Sequence, residues 1–271
     1  MNKILLLLLL LLLLVVGIPL LSTSAVQAQV ITARIMDFRD DAEEEVTGPN
    51  IGNIFRSSSD LEYGNQNGVE QLVGLRFIDL NIPQGATINS VTIQLTATSL
   101  DVGTLNIPIF GQLSPDTVDF ADLTPISTRP LTTSSVDWNV DPWFPGDSGA
   151  NTTTPDLSAI VQEIVNQSEW SSGNSMAFIF QNDPMDSSER IAVSFDGNPL
   201  EAALLTIDFT PAADVPLKGD VNLSGVVDFA DIPSFISVLQ AGGLQIEADC
   251  DCDGDVDFAD IPAFIAILQG Q

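Results

Sequence analysis

Histidine is absent from all 271 residues, and positive charge is scarce: eight lysines and arginines stand against 37 aspartates and glutamates, a formal net charge of −29. Without imidazole there is no His-based acid–base catalysis, no Ser-His-Asp triad and no His-ligated zinc site. Carboxylate chemistry stays open. So acidic a chain repels phosphate backbones, which argues against a nucleic-acid partner. A cationic partner fits instead, calcium foremost. The only cysteines, Cys250 and Cys252, are two residues apart. Such a pair rarely meets disulfide geometry, so both read as non-structural, with an intermolecular bridge as the other reading.

Long apolar runs are missing too, except at the start. Lys3 precedes an apolar run from Ile4 to Leu21, and small and polar residues then lead to Val26-Gln27-Ala28. This pattern reads as a signal peptide over 1–28, cleaved after Ala28. An uncleaved anchor is the alternative, since about 18 apolar residues can span a bilayer. The chain is therefore expected to be secreted or held at the cell surface, with no membrane span after cleavage.

Residues 29–211 read as mainly β. Val91, Ile93, Leu95 and Ala97 alternate with Thr92, Gln94 and Thr96. That two-residue period marks a half-buried strand. It recurs at Met176-Phe178-Phe180, Ile191-Val193-Phe195 and Leu205-Ile207-Phe209, and a further strand is expected over Leu75–Leu80. Polar turn clusters separate these runs, as in a sandwich. One helix interrupts them: Thr154 as cap, Pro155 in the first position, and Leu157, Ile160, Val161 and Ile164 on one face, within Pro155–Gln167. A linker is expected over 212–218.

Residues 219–271 contain a repeat at an offset of 29 residues, with copies at 220–231 and 249–260. Each has oxygen-bearing residues at positions 1, 3, 5, 9 and 12 of a twelve-residue loop, the pattern of an EF-hand calcium loop. In the first, the ligands would be Asp220, Asn222, Ser224, the Val226 carbonyl, Asp228 and Asp231. In the second they would be Asp249, Asp251, Asp253, the Asp255 carbonyl, Asp257 and Asp260. Gly225 and Gly254 fall at position 6, where the loop turns sharply. Each loop runs into an apolar stripe: Ile232, Phe235, Ile236 and Leu239, then Ile261, Phe264, Ile265 and Leu268. Two calcium ions are expected, with the stripes packing on each other.

This tail resembles the type I dockerin module: a duplicated loop-helix with aspartate, not glutamate, at position 12. The resemblance implies a small α-helical calcium-binding domain that docks onto a cohesin-like or other cell-surface protein. At positions 10 and 11, where dockerins commonly carry Ser-Thr-type pairs, both copies have Phe-Ala: Phe229-Ala230 and Phe258-Ala259. Calcium binding carries over residue by residue; cohesin recognition does not. The segment from Leu75 through Ile82-Pro83-Gln84-Gly85-Ala86 to Leu95 resembles the DNRLRE or disaggregatase-related domains of secreted proteins. That resemblance implies a jelly-roll-like β-sandwich with a carbohydrate-binding role. Trp138, Trp143 and Trp170, with Asp137 and Asp141 beside them, are the candidate sugar contacts; packing of the three indoles beside the helix is the alternative.

The reading that follows is a non-catalytic, calcium-binding surface protein with a glycan-binding sandwich and an attachment module. A polysaccharide-degrading enzyme (glycoside hydrolase or polysaccharide lyase), or an accessory of one, is the second reading, and a self-assembling structural protein the third. No acid pair stands out as catalytic. The two loops should differ, because Ser224 is a neutral donor where Asp253 is charged. Calorimetric titration of the chain with calcium is expected to show tighter binding at the second loop; two equal sites, or earlier filling of the first, would contradict it.

Overall fold

The structure, a computed structural model, describes residues 28–122, 124–182, 188–212, 218–223, 227–242, 245–251 and 253–269. The expected signal peptide lies outside them except for Ala28, as does most of the expected linker. The fold is mainly β, with two antiparallel sheets and, among the described residues, three α-helices. The strands are β1 (Gln29–Arg34), β2 (Asp41–Glu45), β3 (Ile54–Phe55), β4 (Asp60–Gln66), β5 (Val69–Phe77), β6 (Thr87–Gln94), β7 (Leu105–Gln112), β8 (Leu131–Val140), β9 (Met176–Phe180), β10 (Glu189–Val193) and β11 (Leu204–Thr210). The helices are α1 (Ser158–Val165), α2 (Ile232–Ala241) and α3 (Asp260–Leu268).

One sheet has the order β1-β11-β6. The other runs β10-β4-β5-β9-β7-β8, with β2 also paired to β5, and β3 to β2. Alternating residues of both sheets meet in one large core, the arrangement of a β-sandwich. Val91 and Ile93 of β6 and Leu205, Ile207 and Phe209 of β11 face Val73, Leu75 and Phe77 of β5 and Phe178 and Phe180 of β9. The alternation read in β6 and β11 is therefore the core face. In β9 every residue is buried. Ala177 and Ile179, on its outer face, join Ala42, Leu72, Phe120 and Ile126 in a second, smaller cluster. The 3-10 turns Phe120–Asp122 and Ile126–Thr128 contribute Phe120 and Ile126 to it.

Two glycines permit close approaches. In β7, a Cβ on Gly111 would lie 2.7 Å from Ile160 and 2.8 Å from Ile164, so the missing side chain lets α1 press onto the sheet. In β4, Gly64 has φ +97° and a Cβ there would meet the Ser188 carbonyl at 2.5 Å. This glycine marks where β4, paired with β5 from Gly64 to Gln66, pairs with β10 from Asp60 to Gly64. β9 continues that edge of β5 from Val73 to Phe77, and β2 pairs with the opposite edge from Gln71 to Leu75.

Several expectations need correction. β5 ends at Phe77, so Ile78-Asp79-Leu80 is not strand; Asp79 has φ +55° and turns the chain. In β10 Arg190 and Ala192, with Ser194 following, are buried alongside part of the expected set: Val193 is buried and Phe195 packs against the main core, but Ile191 is only partly buried. Arg190 is fully buried because its guanidinium donates to the carbonyls of Asp141, Glu189, Gly103 and Val140. The helix begins three residues later than expected. Thr154 does not cap it; its hydroxyl accepts the Ile93 amide, while Asp156 accepts the amides of Val91 and Ser158. Strand β6 thus takes the cap residue that the helix was expected to use.

The acidic strand β2 is buried. Asp41, Glu43 and Glu44 are each 2% exposed. Asp41 and Glu43 stand opposite Leu75 and Val73 and share their core face, whereas Ala42 and Glu44 face outward. Asp41 accepts the Phe195 amide at 2.7 Å, and Glu43 accepts the Glu62 amide. Burial is the main reason that the Asp41 carboxyl is pushed up to about 7 and that of Glu43 to about 8. Nearby Asp196 and Asp40 add to the first shift, Glu62 to the second. In the unfolded chain both ionise near pH 4. The folded state therefore holds its protons more tightly, and stability is lost as pH rises from about 4 to about 8. Chemical denaturation in chelator is expected to show this decline, and Asp41→Asn to flatten it.

Candidate metal and ligand sites

The C-terminal residues form a small core of their own. Phe235 of α2 stacks on Phe264 of α3, with centroids 4.0 Å apart and planes within 11°. Val221, Ala248, Cys250 and Val256 complete the buried set. Three residues of each expected stripe pack inward, Ile232, Phe235 and Leu239 on α2 and Ile261, Phe264 and Leu268 on α3, and one residue of each does not. Ile236 and Ile265 are about half exposed, and Val238 and Ile267 pack inward with Leu239 and Leu268. Cys250 is buried here, and Cys252 lies outside the described residues.

Each loop closes on its last aspartate. Asp260 is 1% exposed: one oxygen accepts the amides of Cys250 at 2.6 Å and Asp251 at 3.1 Å, and the other accepts that of Asp257 at 2.9 Å. Asp231, fully buried, repeats this with the amides of Asn222 at 3.0 Å and Asp228 at 2.9 Å. Asp257 and Asp228 in turn accept the amides of Ala259 and Ala230. Gly254, at position 6, has φ +99°, the left-handed backbone its place in the loop requires.

In the second loop, one oxygen each from Asp249, Asp251 and Asp253 lie within 4.8 Å of one another. Asp249 Oδ1 is buried with no hydrogen-bond partner among the described residues, and Asp249 Oδ2 lies 3.5 Å from Lys218 Nζ. Lys218 also donates to the Asp249 carbonyl. Partial desolvation, then the charges of Asp253, Asp260 and Asp249, raises Asp251; Asp253 foremost, with Asp257 and others, raises Asp255. Such crowding favours a bound cation, and the donors are all oxygen, which suits a hard ion. In the first loop, Asp220 is buried, Asn222 and Asp228 are exposed, and Ser224, Gly225 and Val226 lie outside the described residues.

The candidate sugar contacts on the sandwich do not form a binding face. Trp138, Trp143 and Trp170 are 5%, 0% and 1% exposed and belong to the main core. Their ring faces are spent on packing, Trp138 against Trp143 at 6.1 Å, and cannot stack on a pyranose. Trp143 Nε1 donates to the Asn151 carbonyl and Trp170 Nε1 to that of Ile82, both at 2.9 Å. Asp137 and Asp141 are exposed but have no aromatic surface from these indoles to work with. No protein-family model matches this chain, and no curated protein matches it.

Sequence reasoning missed two features. One is a polar recess of about 560 Å³, lined by Asn65, Asn67, Leu100, Asp101, Ser188 and Glu189 among others. It joins a hairpin tip to two loops far apart in the chain, so no local pattern marks it. The other is Lys218, whose contact with Asp249 ties the entry of the first loop to the second. Gly219 N donating to the Glu247 carbonyl, and Gln245 Nε2 to that of Val221, reinforce the tie. Asp260→Ala orphans three amides and is expected to destabilise this unit by about 3 kcal/mol or more. Hydrogen exchange at Cys250, Asp251 and Asp257 in metal-free protein would register the loss, with a smaller effect at the first loop for Asp231→Ala.

Proposed function

We propose that this chain is an exported, non-catalytic calcium-binding protein whose C-terminal dockerin-like module takes two calcium ions and attaches the sandwich to a cell-surface partner. The observation that carries this reading is the pair of in-register twelve-residue loops, each closed by a buried aspartate. Asp249, Asp251, Asp253, Asp257 and Asp260 would hold the ion in the second loop, and Asp220, Asn222, Ser224, Asp228 and Asp231 that in the first, with the Asp255 and Val226 carbonyls completing them. Bound calcium supplies positive charge that cancels the repulsion among these carboxylates. The chain's own residues do the rest: Asp260 and Asp231 fix the loop backbone, and Phe235 and Phe264 join the helices.

The attachment surface differs from a cohesin-binding one. Phe229 and Phe258, at position 10 of the two loops, are 76% and 78% exposed. Ile236 and Ile265 add further exposed apolar surface. A partner would therefore bring an apolar face. For the jelly-roll-like sandwich, buried tryptophans remove the aromatic route to a polysaccharide. Any saccharide contact falls to the polar recess at Asn65, Asp101 and Glu189, whose amides and carboxylates suit hydroxyl groups.

A unit of about 50 residues has a thin core, so bound metal contributes to its folding. Far-UV circular dichroism of the chain is expected to gain helical signal with calcium and to lose it on chelation. A spectrum indifferent to chelator, with no ion retained in equilibrium dialysis, ends this reading.

A further inference from the structure

We propose that Lys218 sets the calcium affinity of the second loop, as an ammonium built into the fold that competes with the ion for Asp249. This rests on the reading of that loop as a calcium site, and it names the residue that tunes the site.

Lys218 is the only lysine or arginine after Arg190, and residues 219–271 carry ten acidic side chains and no basic one. That single cation is committed to one place. Its Nζ lies 3.5 Å from Asp249 Oδ2 and donates to the Asp249 carbonyl, so it grips the first ligand of the second loop at two atoms. Asp249 Oδ1 is buried and has no hydrogen-bond partner among the described residues. One oxygen of Asp249 lies within 4.8 Å of oxygens from Asp251 and Asp253. The ammonium and the proposed ion therefore draw on the same carboxylate.

The backbone fixes this reach. Gly219 N donates to the Glu247 carbonyl at 2.7 Å, and Gln245 Nε2 to the Val221 carbonyl at 2.8 Å. A Cβ on Gly219 would lie 3.0 Å from Val227 and 3.1 Å from Ile267 of α3, so the entry to the first loop is pressed against the second repeat. The repeats differ at this point. Two residues before the first loop stands Lys218, and two residues before the second stands Glu247. The twin of Lys218 thus has the opposite charge, and the equivalent position brings no ammonium to Asp220.

Electrostatics gives the sign. A positive charge beside a cation site favours the empty state over the filled one. If the ammonium stays, it repels the ion. If it withdraws, its ion pair and its hydrogen bond to Asp249 are given up. Both routes lower affinity. The effect is moderate, because the Lys218 side chain is 31% exposed and solvent screens its charge. Five aspartate ligands less one ammonium still exceed the three aspartates of the first loop, so Lys218 narrows the difference between the loops without reversing it. A purely structural lysine would act with the opposite sign, since its loss would loosen the loop and weaken binding.

Calcium titration of the full chain, followed by the amide resonances of Gly254 in the second loop and Ala230 in the first, reads the two sites separately. Lys218→Met keeps the aliphatic stem and removes the charge. It is expected to lower the Gly254 midpoint about fivefold and the Ala230 midpoint less. Lys218→Gln should act in the same direction and serves if Lys218→Met does not fold. Lys218→Arg, which keeps the charge, should stay closer to the parent. Sodium chloride at about 0.5 M should narrow the gap between parent and Lys218→Met. The proposal is overturned if the uncharged variants bind at the parent's midpoint or more weakly, if Lys218→Arg binds as tightly as Lys218→Met, or if salt leaves the gap unchanged. A Gly254 resonance that ignores calcium in parent and variants alike ends the reading of the loop itself, and this proposal with it.

Discussion

Carboxylate oxygens accepting backbone amides of strands and loops recur throughout the described residues of this chain. With 37 acidic and eight basic side chains, most carboxylates cannot find a cation within the protein. They take amide hydrogens instead, and a hydrogen bond to a charged acceptor is worth more than a neutral one. Asp41 holds the chain after β10, Glu43 holds β4, and Glu44 holds the 3-10 turn at Ser127. Asp156 and Glu163 tie α1 to β6 and β8 by the amides of Val91, Thr133 and Ser134. Asp231 and Asp260 do the same for the C-terminal loops.

This device satisfies amides but not charge. An amide cancels only part of a carboxylate's field, so clusters of such acceptors stay electronegative. The clusters differ in setting. In the second loop, exposed aspartates crowd at the surface, and Lys218 reaches Asp249 as the one nearby cation among the described residues. In β2, the carboxylates lie inside the core, where desolvation dominates. One demand for positive charge thus arises twice, from repulsion at the surface and from burial within.

The parts legible in the sequence were those where polarity follows burial. The alternation in Val91-Ile93-Leu95 and Leu205-Ile207-Phe209 locates core strands directly, and Leu157, Ile160, Val161 and Ile164 are all buried as the periodicity implies. The acidic strand β2 was invisible, because runs such as Asp41–Glu45 ordinarily face solvent. Arg190 was missed as a core residue of β10 because the carbonyls of Gly103, Val140 and Asp141, from distant segments, join that of Glu189 in making its burial tolerable. The tryptophans illustrate a different limit. Exposed and buried indoles look alike in sequence, and only the contacts of Trp143 with Asn151 and of Trp170 with Ile82 decide between them. Spacing gave the loop residues their order, but the tie through Lys218 depends on how the two repeats face each other.

The stacked rings of Phe235 and Phe264 bear on how the tail arose. They occupy equivalent places in the two repeats, 29 residues apart, and touch each other rather than different neighbours. A contact between equivalent positions is isologous, the kind made across a dyad. A single loop-helix unit would therefore present a self-complementary surface and pair with its own copy. The tandem chain is that dimer in covalent form, and its intrachain link removes the concentration dependence that a separate pair would carry.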